Sequence, residues 1–213
     1  MLTEKMALEL IKSTGALREG HFILASDNHS GHFVNKNDVS TQPYILDELA
    51  KSIADHFWGE DISVVAAPAA GAIALGNRVA AHYGRSVISV FAEQEEDRFL
   101  FHRGYARFIQ IGTRVLLVED IITTGKTTSA MIKAVSDLGG QVVGIGLLWN
   151  RNLEGLEVPS YACVNKVFAN YESENCPLCR AKVPIDTEVN KHGREFLTKY
   201  GENPASWPAN KGS

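Results

Sequence analysis

The sequence predicts an α/β fold: an open, mostly parallel sheet with helices on both faces, plus a small N-terminal flap. Three observations carry that prediction. Residues 62–66, 87–91, 115–118 and 142–148 are short runs rich in β-branched side chains. Their hydrophobicity is near-continuous, as in strands buried on both faces, and does not alternate as in half-exposed strands. Helical patterns separate them, and a strand–helix–strand order builds parallel sheets. Finally, 213 residues of which 45% are hydrophobic suffice for one domain with a sizeable core.

Residues 1–12 mix acids and bases with apolar Leu2, Met6, Leu10 and Ile11, which reads as a short amphipathic helix. A signal peptide needs an uninterrupted apolar stretch that is absent there. Residues 20–26 and 32–35 read as short strands around the polar turn 27–31, so residues 1–40 form the flap, or hood. Leu46, Leu49, Ala50, Ile53 and Phe57 share one helix face. The first core strand, 62–66, leads into a helix over 72–83 that ends near Gly84. Met131, Ala134, Val135 and Leu138 repeat the helical spacing, and Gly139-Gly140 stops it. Residues 41–151 are thus the α/β core of a single domain spanning 1–213. Residues 152–213 are a polar, irregular extension carrying Cys176-Pro-Leu-Cys179, and its end from Asn203 is expected to fray.

Composition narrows the function. A formal net charge of −4 argues against duplex nucleic acid and anionic membranes as partners. The longest uncharged stretch, 62–77, is too short to span a bilayer. Cysteine is confined to Cys163, Cys176 and Cys179, which fits a reducing cytoplasm better than a disulfide framework.

The chemistry is concentrated in residues 114–128, where an apolar strand ends in Glu119-Asp120 and is followed by Thr123-Thr124-Gly125-Lys126-Thr127 and an amphipathic helix. Such a turn is an anion site: hydroxyls, unpaired backbone N–H groups and the positive end of the helix dipole converge on it. The two acids upstream would repel a bare phosphate, so they suit sugar hydroxyls or a Mg²⁺ that bridges to oxygens. A P-loop needs glycine where Asp120 stands, and a dinucleotide fingerprint needs three glycines where this turn has one.

This segment resembles the phosphoribosyl-pyrophosphate (PRPP) motif of type I phosphoribosyltransferases, and within that family the chain is most similar to the orotate phosphoribosyltransferases. Residues 20–35 are similar to their N-terminal base-site segment, residues 91–105 to their mobile catalytic loop, and residues 147–151 to the strand end that carries a base-recognising arginine. The resemblance implies transfer of the phosphoribosyl group from PRPP·Mg²⁺ to orotate by a cytoplasmic homodimer. By the same resemblance Glu119 and Asp120 hold the ribose hydroxyls, Thr123, Thr124, Gly125, Lys126 and Thr127 wrap the 5-phosphate, and Ala69, Ala70 and Gly71 form the pyrophosphate loop. Arg151, Phe33 and Thr123 then face the base, and Arg98, His102 and Arg103 are the catalytic-loop candidates, with Arg107 beyond them.

The chain departs from the family pattern at several points. Relatives often carry lysine where Ala25 and Ala70 stand, and residues 93–97 are acidic where lysines are usual. A purine-base transferase and a non-catalytic PRPP sensor on the same fold therefore stay open beside the orotate enzyme. Cys176 and Cys179 are half a zinc site that Cys163 and His192 could complete. His21, His29 and His32 are expected at the surface or at a ligand edge, since their spacing suits no helix face.

Overall fold

The computed structural model of the protein describes residues 2–151 and 158–201, so the expected fraying from Asn203 lies outside the described residues. In chain order the elements are α1 (Glu4–Ser13), β1 (Leu17–Ile23), β2 (His29–Val34), α2 (Lys36–Ser40), α3 (Pro43–His56), β3 (Val64–Pro68) and α4 (Ile73–His82). There follow β4 (Ile88–Glu95), β5 (Arg98–Leu100), β6 (Arg114–Ile122), α5 (Lys126–Asp137), β7 (Gln141–Asn150), β8 (Ser160–Asn165), β9 (Asn170–Tyr171), α6 (Pro177–Arg180) and α7 (Lys191–Tyr200). They fall into two compact units, one of residues 1–14 and 36–167, the other of residues 15–35 and 168–213. Among the described residues no helix is long and apolar enough to cross a membrane.

The first unit is built on a six-stranded sheet in the order β5-β4-β3-β6-β7-β8, parallel except for the β4–β5 hairpin. Alternate residues of its strands face opposite sides, and each side has its own helices. Val64, Ala66, Ile145 and Leu147 pack in one cluster with Met131 and Val135 of α5. On the other side Gly76 of α4 lies against Ala67 and Val65, and Ile53 of α3 lies over Gly146. Leu46, Leu49, Ala50 and Ile53 are buried on α3, as their spacing predicts. The open, mostly parallel sheet with helices on both faces is therefore the observed fold. β8 departs from expectation: it adds a fifth parallel strand, the sixth of the sheet, in a region that reads as irregular. Its apolar run is only Tyr161–Val164, and pairing with β7, not local pattern, makes it a strand.

The second unit contains the β1–β2 hairpin, whose far edge pairs with β9. Asn190 caps α7 by accepting the N–H groups of His192 and Gly193 at 2.8 and 3.2 Å. His21 and His29 are 1% and 0% exposed, not surface groups, while His32 is half-exposed and stacked on Phe168 at 4.3 Å. Helix spacing was the wrong test for them. A register irregularity between Glu19 and Phe22 turns His21 towards His29 across the hairpin, with their ring centroids 4.9 Å apart.

Candidate active site

The carboxyl end of β6 carries two adjacent acids into the first unit's interior, where Glu119 and Asp120 are 9% and 5% exposed. Thr128, buried in the first turn of α5, donates its hydroxyl to Glu119 Oε2 at 2.6 Å. Burial raises the Glu119 pKa to about 7, and the Asp120 charge adds to the rise, while Thr128 and the Lys36 ammonium oppose it. Asp120 Oδ1 accepts the N–H of Ile121 at 2.6 Å. Its buried Oδ2 is paired with the Lys36 ammonium, 2.7 Å from Nζ.

Gly71 explains how these groups fit under the loop after β3. A Cβ there would run into Asp120 Oδ2 and lie 2.9 Å from Lys36 Nζ, so only glycine lets the backbone pass. The preceding peptide, Ala69–Ala70, is cis. Next to the acids, Gly125 has φ 72° and no side chain caps α5, which leaves the first-turn N–H groups of a 12-residue helix for an anion.

These groups line a cavity of about 130 Å³ whose walls are Pro68, Ala69 and Gly71, Gln94 and Phe99 of the hairpin, and Lys36, Glu119, Asp120 and Thr127. A larger cavity of about 260 Å³ beside β8 gathers Glu4 and Cys163 but no pair of acids with a cation, so size does not choose the site. Two carboxylates with one ammonium, beside open helix N–H groups, can hold a diol or a hard cation at one end and a phosphate at the other.

The structure gathers some of the sequence candidates and not others. Glu119, Asp120, Ala69, Gly71 and Thr127 line the cavity. The Thr123–Gly125 turn joins β6 to α5, and the Arg151 N–H donates to the Ile122 carbonyl at 3.0 Å, which sets Arg151 directly beside that turn. Burial lowers the Arg151 pKa, and a guanidinium stays charged even so. Among the described residues the cavity wall includes none of Arg98, His102 and Arg103. Arg103 instead donates twice to Glu93 Oε1, at 2.8 and 3.0 Å, and His102 Nε2 lies 2.7 Å from Glu95 Oε1. Glu93 and Glu95 of the hairpin thus hold Arg103 and His102. Phe33 belongs to the second unit, where its ring is 5.6 Å from Phe22.

Two participants are absent from the sequence candidates. Lys36 supplies a positive charge although Ala70 does not, and its place at the end of the flap segment carries no motif that would reveal it. Thr128 was legible in principle, because the third residue of a helix that starts at Lys126 can reach back to the end of the strand before it.

Comparison with known proteins bears on this site. Residues 41–174 match the phosphoribosyl transferase domain family. The chain is 34% identical over 197 residues to an orotate phosphoribosyltransferase of Thermoanaerobacter sp. (strain X514), covering 92% of this chain and 100% of that one. Among solved structures, an orotate phosphoribosyltransferase from Aeropyrum pernix superposes with TM-score 0.64 at 17% identity, covering 75% of this chain and 93% of the other. An adenine phosphoribosyltransferase from Thermoanaerobacter pseudethanolicus gives 0.59 at 22%, covering 75% and 99%. The fold is thus shared by proteins named for different bases.

Proposed function

The chain belongs to the phosphoribosyl transferase family, and on that footing we propose that it transfers the 5-phosphoribosyl group of PRPP to orotate. The products are orotidine 5′-monophosphate and pyrophosphate, in the synthesis of pyrimidine nucleotides. Similarity to proteins named orotate phosphoribosyltransferase, at 32–34% identity over most of the chain, supports the reaction. The observation that carries it in this molecule is the buried Glu119-Asp120 pair beside the open N-terminus of α5.

In this reading Glu119 and Asp120 accept the ribose hydroxyls, and the N–H groups and hydroxyls of residues 123–127 enclose the 5-phosphate. Departure of pyrophosphate leaves positive charge on the ribose ring, which fixed carboxylates nearby stabilise without reorganising. Lys36 holds Asp120 in place and sets a cation beside the Ala69–Gly71 loop, where the leaving phosphates would lie. The cavity, lined by the two buried carboxylates of Glu119 and Asp120, suits a Mg²⁺ brought in with PRPP, whose chemistry would be to neutralise charge on the departing pyrophosphate. Arg151 pairs its planar fork with the carboxylate of orotate. The homodimer and the cytoplasmic location implied by the resemblance are part of the same proposal, and sedimentation of the purified chain tests the dimer.

The test is pyrophosphate release from PRPP and Mg²⁺ with a panel of bases. Release with orotate alone is the expected result. Release with adenine, hypoxanthine or xanthine would replace the base and leave the family standing. PRPP binding without release on any base would make the chain a sensor.

A further inference from the structure

Four side chains in the second unit converge on one point that the transferase reaction does not use. The chelating atoms of His21, His29, Cys176 and Cys179 all lie within 4.8 Å of one another. His21 Nε2 is 2.8 Å from His29 Nδ1, and Cys179 Sγ lies 3.6 and 3.2 Å from those two nitrogens. Cys176 Sγ is 3.7 Å from His21 Nε2. In a tetrahedron with metal–nitrogen bonds of about 2.0 Å and metal–sulfur bonds of about 2.3 Å, neighbouring ligand atoms sit about 3.3–3.8 Å apart. Four of the six distances, 2.8–3.7 Å, lie within about half an ångström of those values, and the other two are no longer than 4.8 Å.

The outer faces of the imidazoles are arranged to match. His21 Nδ1 lies 2.8 Å from the Val183 carbonyl, which can only accept, so Nδ1 carries the proton and Nε2 turns a lone pair to the centre. His29 Nε2 lies 2.9 Å from Ser173 Oγ, leaving Nδ1 for the centre. Second partners of this kind fix tautomer and ring orientation in metal-binding histidines. The cysteines bracket the start of α6, where the Arg180 N–H returns to the Cys176 carbonyl at 3.2 Å. The Phe196 ring stands edge-on to His29 at 5.2 Å and adds an apolar wall.

We propose that His21, His29, Cys176 and Cys179 form a closed structural Zn²⁺ site. Two thiolates and two imidazoles in tetrahedral array are a zinc donor set, and four protein ligands leave no open position for catalysis. The site ties the β1–β2 hairpin to a segment 150 residues later, within a unit that has few buried apolar side chains among the described residues. Neither Cys163 nor His192 takes part. The Cys163 thiol lies 3.6 Å from the Leu49 carbonyl in the first unit, and the His192 ring lies 3.4 Å from Glu195. The proposal is independent of which base, if any, the enzyme uses.

Metal analysis of the untagged full-length protein, incubated with Zn²⁺ alone and then dialysed, tests it. One zinc per chain should remain. Replacement by Co²⁺ should give the intense visible bands of tetrahedral cobalt with a near-ultraviolet thiolate band, and chelation should lower Tm. Cys179→Ser and His29→Gln should each weaken retention by about tenfold or more, while Cys163→Ser and His192→Gln keep the full equivalent. Wild-type protein that retains no zinc would overturn the site even if the ligand variants fail to fold, leaving a hydrogen-bonded polar cluster. Cobalt bands of octahedral type, or equal loss in the two control variants, would overturn the ligand set.

Discussion

Lys36 Nζ lies 2.7 Å from Asp120 Oδ2, joining the short helix α2 to the carboxyl end of β6 at the floor of the cavity. The contact sets one ammonium against two adjacent buried acids, so the site keeps net negative charge near the ribose and offers a cation towards the phosphates. Replacing Lys36 by Met keeps the stem and removes the charge. Loss of a charged contact of ~1.5–3 kcal/mol should lower kcat/KM for PRPP by roughly 10- to 150-fold. Unchanged kcat/KM would show that the lysine only decorates the cavity rim.

Glu119 makes the empty protein pH-sensitive. Its pKa rises from 4.5 to about 7 on folding, so between those values the folded state holds more protons than the unfolded one. Stability should therefore fall as pH rises from about 4.5 to about 7 and level off above. Glu119→Gln keeps an acceptor for Thr128 and removes the titration. It should match wild type near pH 4.5 and exceed it by about 2–3 kcal/mol at pH 8, measured by urea unfolding. Parallel curves for the two proteins would mean that the carboxyl is ionised throughout.

Arg151 separates base recognition from PRPP binding. Arg151→Ala should weaken kcat/KM for orotate by ~2–4 kcal/mol, since the carboxylate loses a bidentate partner. Kd for PRPP should hardly change, because residues 119–127 are untouched. A fall in both together would assign Arg151 to the support of the β6–α5 turn, where its N–H meets Ile122.

Gly146 sets how closely α3 approaches the sheet. A Cβ at this position would run into Ile53 Cγ2 in the middle of a buried strand. Gly146→Ala should cost about 1–3 kcal/mol by overpacking. Gly59 has open space around it, so Gly59→Ala should stay within about 0.5 kcal/mol of wild type. Equal denaturation midpoints for both variants would show that α3 can shift without cost.

Patterns carried by neighbours along the chain are legible without any tertiary information. Strand runs such as 115–118, the helix face Leu46–Leu49–Ala50–Ile53, and the acid pair followed by a Thr-Thr-Gly turn are all contiguous, and backbone periodicity converts such patterns into structure wherever they fall. Tertiary structure alone decided the convergences. Lys36 reaches Asp120, and His21 and His29 meet Cys176 and Cys179, because strand order and hairpin register bring distant segments together. A single histidine or lysine has no local pattern to announce its partner. Arg103 and His102 show the converse: their residue types were legible, but the acids they meet, Glu93 and Glu95, are brought to them by the β4–β5 hairpin and not by any local pattern.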